Sequence, residues 1–459
     1  MNTRTNIMEK LKLLSIVLIV IPIFGGCDSL LSTEPKQSIS SEIALTNSDN
    51  VELVLVGAYD ALSDEDAYGG YTMLLPDLLA NSGDLAWDGT YTGMRNIWLK
   101  EQTVSNGFVE DTWLAFYNMI NITNNVLSAL DVVDADIRGR VEGEAKFLRG
   151  VAYFELVRLY AKPWNQGDPA QNLGVPLVLL PDSKVEETQD LPRATVAEVY
   201  AQVIKDLEDA KSLLPPSNGV FATEFAAAGM LARVYLQQQR YQQAAEEANY
   251  VIENGGFSLE PDYADAFNRV GGVSTEDIFT LRISAQDGFN TIHNHYASDS
   301  LGGRGDITLT SQHLSLYEET DGERRDINYT DEEGVRTGKY TMQYGNVPVI
   351  RLAEMYLTRA ESNFRLGIGS YVGPNTPAED LNIVRNRVDL PAIANPTLQD
   401  ILDERFLELA FEGHWLHDMK RLELSPGGIS WDDANLVFPI PLREMNVNKN
   451  LVQNEGYGG

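Results

Sequence analysis

Apolar residues recur at helical spacing over most of this chain, and they lose that spacing in two long stretches. Asn47 to Leu62 places Val51, Leu55, Ala58 and Leu62 on one face behind a capping Asn47 or Ser48, which predicts a helix. Asp111–Leu130 predicts a second. Glu142–Tyr160 predicts a third that is apolar on more than one side. Phe147, Val151 and Phe154 line one side, and Leu148, Ala152 and Leu159 another. Such a helix packs between neighbours in a layered helical core. Pro163 stops it, and 172–181 reads as an extended connection. A fourth helix runs from Thr195, with Glu198 three residues on as a capping box, to Leu214.

Residues 224–253 predict a helix pair. Leu231, Ala232, Tyr235, Tyr241, Ala244 and Ala248 fall at tetratricopeptide-like spacing. Small residues at Ala232 and Ala244 let two helices approach, and Tyr235 fills the gap beside them. Leu-Ala-x-x-Tyr returns at Leu352, Ala353 and Tyr356, with a weaker echo at Gly150-x-x-Tyr153. Arg351–Leu366, Ala378–Val388 and Thr397–Arg421 continue the helical pattern, with a Gly/Pro-rich insertion at 367–377. The copies are not contiguous. The expectation is therefore a mainly α scaffold of tetratricopeptide-like pairs carrying long irregular insertions and a few short strands.

The two aperiodic stretches are 63–110 and 257–349. The first is rich in Gly, Asp, Asn and aromatics and reads as long and irregular. Its aromatics, Trp87, Tyr91, Trp98 and Phe108, argue against disorder. The second reads as loops, short strands and short helices. The tail at 438–442, Phe-Pro-Ile-Pro-Leu, reads as extended.

The start of the chain has a different pattern. Leu11 to Phe24 is apolar except for Ser15, with Lys10 and Lys12 at its front edge, and ends in Gly25-Gly26-Cys27. A positive front, a short apolar run and small residues before a cut make a signal peptide. The run is shorter than the roughly 20 residues that span a bilayer. Cys27 after Gly-Gly resembles the lipobox of bacterial lipoproteins, in which the thiol is acylated and the cysteine becomes residue one. Residues 1–26 are then a lipoprotein signal peptide and 27–45 a lipidated tether. Its unpatterned part, 28–41, reaches at most ~50 Å when extended. The body divides into 46–256 and 257–459, packed as one globular unit.

Charge and cysteine count narrow the chemistry. The formal net charge is −32 over 459 residues. Such a surface repels phosphate backbones, which argues against nucleic acid, and repels anionic membranes, so the lipid must supply membrane affinity. Cys27 is the single cysteine. Once acylated, it leaves no thiol for a disulfide, a metal or catalysis.

Nearly the whole chain resembles one family, the SusD/RagB-like outer-membrane lipoproteins. The stretches that carry the resemblance include CDSLLSTEP at 27–35, GEAKFLRGVAYFELVRLY at 143–160, RATVAEVYAQVIKDLEDAKSLLP at 193–215, RLAEMYLTRAES at 351–362, ERFLELAFEGHWLHDMKR at 404–421 and FPIPLREMNVNKNLVQNEGY at 438–457. One departure is visible. An arginine and then an aromatic usually follow Glu-Gly soon after, where this chain has His414-Trp415-Leu416-His417. The resemblance implies a cell-surface lipoprotein, held in the outer membrane by its lipid. It would lie as a lid over a SusC-type TonB-dependent transporter, binding an oligosaccharide or, in some members, a peptide. It implies capture without bond cleavage and without a cofactor.

Several residues invite a chemical reading. Glu404, Glu408 and Glu412 form an i, i+4, i+8 stripe that could suggest a glycoside hydrolase, but a catalytic dyad must flank a substrate. A solvated or arginine-paired helix face is the expectation. His414, His417 and Asp418 lack a HExxH context or a third histidine. His293 and His295 alternate in what reads as a polar loop. The acidic loops leave room for Ca²⁺, but no EF-hand-like spacing supports it. The aromatics outside periodic helices are of more interest, because rings offer flat faces to sugar C–H groups while Asn, Asp and Arg bind hydroxyls. The expected site is 81–98, with Trp87, Tyr91 and Trp98 stacking and Arg95 and Asn96 binding hydroxyls. The 285–305 loop is the second wall, closed by Tyr296. A purely structural lipoprotein would bind no ligand at all.

Overall fold

The computed structural model describes residues 44–182, 190–286, 288–318 and 321–458. The signal peptide, Cys27 and most of the tether lie outside the described residues.

Periodicity marks the scaffold well. Helix α1, Ser48–Ser63, is capped by Asn47, whose side chain accepts from the Asn50 N–H, and buries Val51, Leu55, Ala58 and Leu62. Later come α4 (Gly107–Ser128), α5 (Arg138–Tyr160) and α6 (Val196–Leu213), the last with the Thr195/Glu198 capping box. The expected pair is α7 (Glu224–Gln237) and α8 (Tyr241–Asn254). Ala232 and Ala244 are fully buried between them. Helix α5 is buried on every side from Phe147 to Tyr160.

The second Leu-Ala-x-x-Tyr copy opens α12, Leu352–Leu366. It packs directly on α8, although nearly a hundred residues separate them in sequence. The 257–349 stretch is therefore looped out between two neighbouring helices. Helices α13 (Pro377–Arg387) and α14 (Leu398–Glu408) extend the array. One continuous apolar cluster runs from Val51 to Leu451 and draws on both halves of the chain.

Two expectations need correction. Residues 63–110 are not one long irregular stretch. They hold α2 (Tyr71–Ala80), strand β1 (Leu85–Trp87) and α3 (Thr92–Trp98) before α4 begins. Helix α2 reads YTMLLPDLLA and is buried at every position, so it has no polar face to give a period, and Pro76 inside it further masks a helix. The helix expected over 397–421 is broken. Helix α14 ends at Glu408, Phe411 (φ 67°) and Gly413 (φ 74°) turn the chain, and α15 restarts at Trp415–Arg421. A side chain at Gly413 would sit 2.7 Å from the Met73 Cα, so the turn docks closely on α2.

The insertions meet across a small mixed assembly. Strand β2 (Asp277–Leu281) is followed by α9 (Thr291–Tyr296), β3 (Ile307–Leu309) and two short helices, α10 (Ser311–Leu314) and α11 (Gly322–Asp326). Then come β4 (Tyr329–Thr330), β5 (Val335–Arg336) and β6 (Val347–Arg351). The four-stranded sheet has the order β1-β3-β5-β4, with Leu85 opposite Leu309 and Trp87 opposite Ile307. A strand from the first aperiodic stretch is thus zipped to one from the second. The extended 438–441 tail leads into a last short helix, α16, Leu442–Val447.

Candidate functional site

The β1–β3 pairing decides where the expected site residues lie. It continues past the strand, where the Asp88 N–H donates to the Asp306 carbonyl at 2.8 Å. Residues 88–98 and 297–306 therefore share one surface. Tyr91 stands at its centre, 40% exposed. Its ring packs edge-on against Phe108 at 5.6 Å and against His295 at 6.1 Å. The Arg304 guanidinium covers it at 4.3 Å from the ring centre.

Arg304 is held in turn. It donates through Nε to Asp306 at 2.8 Å and through a terminal nitrogen to Thr90 Oγ1 at 2.9 Å. His295 Nδ1 lies 2.7 Å from the same carboxylate oxygen, Asp306 Oδ2. Burial pushes the Asp306 carboxyl up, but the hydrogen bonds from His295 and Arg304 outweigh it and hold the group below the usual range. Hydrogen bonding to Asp306 raises the Arg304 pKa. Gly89 lets these pieces close up, since a Cβ there would lie 2.5 Å from both Asp306 Oδ1 and the Trp87 ring.

The other expected residues divide by burial. Arg95 is exposed and joins no ion pair among the described residues; Asn96 is half-buried on the same short helix. Trp98 is half-buried and donates from Nε1 to the Leu85 carbonyl at 3.1 Å, which ties α3 to β1. Trp87 is only 7% exposed, 6.0 Å from the His295 ring, with no partner for its Nε1. Tyr296 is 1% exposed and packs against Tyr340 and Phe411, its hydroxyl 3.4 Å from Asp77. Trp87 and Tyr296 therefore underlie the surface, and Tyr296 closes no wall. Sequence reasoning did not name Arg304, His295 as a support, or Phe108 as a backing ring. The Gly302-Gly303-Arg304-Gly305 run lacks the Lys-Ser/Thr of a phosphate loop and gave no other sign of a binding role.

His293 and His295 are not in a polar loop. Both lie on α9 and are buried, and His293 Nδ1 contacts the Tyr340 carbonyl at 3.0 Å. His417 is buried too, and His414 is nearly so. Burial, followed by the nearby Arg233, Arg405 and Arg158, pushes His414 well down; burial and Arg158 do the same to His417. Both shifts favour the neutral ring. No metal-holding group of His, Cys, Asp and Glu occurs among the described residues.

The glutamate stripe is arginine-paired. Glu404 accepts from Arg324 at 2.7 Å and from Arg385 at 3.0 Å. Glu408 accepts from Arg351 at 3.1 Å and from Arg387 at 2.5 Å, and Glu412 from Arg351 and Lys339, both at 2.7 Å. All three are buried. Burial pushes the Glu408 carboxyl up, but Arg387, Arg351 and Arg324 together bring it down to about 2.

Two family models match the chain. One, described as starch-binding and associating with the outer membrane, covers residues 32–236; the other, the SusD family, covers 327–435. The chain belongs to the SusD family. SusD-like protein P2 of Formosa agariphila is 27% identical over 98% of this chain and 100% of its own length. Starch-binding protein SusD of Bacteroides thetaiotaomicron is 28% identical over 37% of this chain and 34% of its own. A crystal structure from Bacteroides vulgatus superposes with a TM-score of 0.80 at 26% identity, over 90% of this chain and 99% of that one. A laminarin-binding SusD-like protein shares the fold, with a TM-score of 0.75 at 23% identity, over 90% and 100%. The mainly helical SusD-type fold is thus the fold of this chain. No described helix is long and apolar enough to cross a membrane.

Proposed function

We propose that this SusD-family chain captures an oligosaccharide at the Tyr91 surface and passes it to a SusC-type TonB-dependent transporter, tethered to the outer membrane through an acylated Cys27. The observation that carries the ligand reading is the Tyr91 ring. It is 40% exposed and is braced by Phe108, His295 and Arg304. A ring fixed in this way presents a flat apolar face at little entropic cost. Around it Asp88, Arg95, Asn96 and Thr90 offer donors and acceptors for hydroxyls. Trp98 extends the platform, while Trp87 supports it from below.

Capture on this reading needs no metal, cofactor or bond cleavage, since the carboxylates that could have formed a dyad are engaged by arginines. Peptide capture is the alternative ligand class. Family description as starch-binding and a laminarin-binding neighbour support a glycan. The test is calorimetry of the purified chain against neutral and acidic glycans, laminarin oligosaccharides included, followed by Tyr91→Ala on the best binder. Binding of peptides but of no glycan would reverse the assignment. Lipidation is checked by mass spectrometry of the native protein and by Cys27→Ser, which should leave the membrane fraction. The transporter is checked by affinity purification after gentle extraction.

A further inference from the structure

A second pocket lies on the other side of α4. The helix turns about 100° per residue, so Trp113 and Tyr117 sit roughly 140° and 180° round from Phe108. There they form one wall of a cavity of about 400 Å³. Pro176 and Val178 of the extended connection form a second wall, and Glu444, Val447 and Asn448 of the α16 segment a third. Tyr117 donates to the Pro176 carbonyl at 2.8 Å, and Asn448 Nδ2 to the Leu191 carbonyl at 2.8 Å, so the walls are pinned together. The volume falls within the range of small-ligand sites, roughly 300–1,000 Å³.

The lining has a consistent chemistry. Its body is aromatic and aliphatic, and its charged members are Glu444 and Asp190. Among the described residues no lysine or arginine lines it. Glu444 is half-buried and forms no ion pair among the described residues. The two nearby cations do not satisfy it. Arg193 is buried below the floor and donates to the carbonyls of Gly174, Tyr160, Leu173 and Val452. Arg443 is exposed on the same short helix and pulls the Glu444 pKa down, but burial, the larger cause, and Glu110 push it up. Val447, 73% exposed, extends the apolar rim outward.

We infer that this pocket binds the cationic side chain of a peptide, a guanidinium or ammonium on an apolar stem, with the stem against Tyr117, Pro176 and Val447 and the charge on Glu444. An aromatic and aliphatic sleeve ending in an unpaired carboxylate matches such a group, through cation–π contact and a charge-assisted hydrogen bond. The site is independent of the Tyr91 surface in both place and chemistry.

The test uses two capped dipeptides of equal shape, acetyl-Leu-Arg-amide and acetyl-Leu-citrulline-amide, titrated calorimetrically into the full chain. Saturable binding of the arginine peptide is expected, with the uncharged citrulline peptide at least about tenfold weaker. Glu444→Gln, which keeps the shape of the side chain, should cost the arginine peptide about tenfold. Val447→Lys, at an exposed position that should leave folding intact, should weaken it by offering Glu444 a tethered ammonium. Equal binding of the two peptides, no saturable binding of either, or an unchanged affinity in both variants would overturn the inference.

Discussion

The segment 404–421 and the surface around Tyr91 are opposites. The first is dense in groups that do chemistry elsewhere: three glutamates, two histidines, an aspartate, a lysine and two arginines. Nearly all are buried, and they are paired with opposite charges inside and outside the segment or have the charged form disfavoured by burial. The second holds few charges, and its central feature is one exposed ring braced by its neighbours. Chemical richness here marks the scaffold's interior, while recognition sits where a flat apolar face meets solvent. The difference follows from cost. A charge removed from water must be matched inside the protein, so buried charges come in mutually satisfied sets. A ligand site must leave part of its surface unsatisfied.

The sharpest break in this contrast comes from one arginine. Arg351 bonds Glu276, Glu408 and Glu412 while fully buried. Arg351→Ala would take one partner from three buried carboxylates, leaving Glu276 and Glu408 to share Arg387 and Glu412 with Lys339 alone. It should cost about 3–5 kcal/mol of stability, read as a drop in the urea midpoint. A loss under about 1 kcal/mol would show that water reaches the network and that the segment is less buried than described. Trp87→Ala should also act on stability. Removing a buried indole costs about 3–5 kcal/mol, so any loss of ligand affinity should accompany a lower melting temperature. Unchanged stability with lost binding would return Trp87 to direct ligand contact.

Acid titration sharpens the comparison from the other side. The Glu408 carboxyl lies at about 2 in the fold against an ordinary 4.5. The depressed value means its contribution is present above about pH 4.5 and lost as pH falls toward 2. Asp77 has the opposite sign. Burial, the largest cause, raises it from 3.8 to about 8, against the Gly413 N–H that lowers it. Its contribution is present below about pH 3.8 and lost as pH rises toward 8. Asp77→Asn should therefore flatten the decline in stability within that window, from 3.8 up to about 8, measured by denaturation at a series of pH values. A decline as steep as that of the unaltered chain would assign the effect to other groups. At the ligand surface the effects should be smaller. Arg95→Ala, exposed and unpaired, should leave stability within about 0.5 kcal/mol and cost one charge-assisted hydrogen bond, about 1.5 kcal/mol or roughly tenfold in glycan affinity.

Much of the scaffold was legible because each amphipathic helix carries its own signal. The Thr195/Glu198 box, the Asn47 cap and the Ala232/Ala244 contact can each be read within a few residues. Helix α2 could not be read so, because a helix buried on all sides has no period to show. The break at 411–413 was hidden for a related reason. Phe411 adopts a left-handed backbone that its residue type disfavours, and only the docking of Gly413 on α2 explains the turn. For the surface, the segments were legible and the facing was not. Composition picked out 81–98 and 285–305, which β1 and β3 join. Which rings point outward depends on a strand register between residues more than two hundred apart. Tyr296 lies on the inner side of α9, and Arg304, which covers Tyr91, carried no local signal beyond a glycine-rich turn.

The central claim is that an exposed, braced Tyr91 ring is the platform on which a glycan lies. The direct measurement is calorimetry of the unaltered chain and Tyr91→Ala against the best-bound glycan, with melting temperatures recorded for both. Losing one stacking face should cost about 1–2 kcal/mol, roughly 5- to 30-fold in affinity, while a 40%-exposed position leaves the melting temperature nearly unchanged. A Tyr91→Ala protein that stays folded and binds the glycan as tightly as the unaltered chain would contradict the claim.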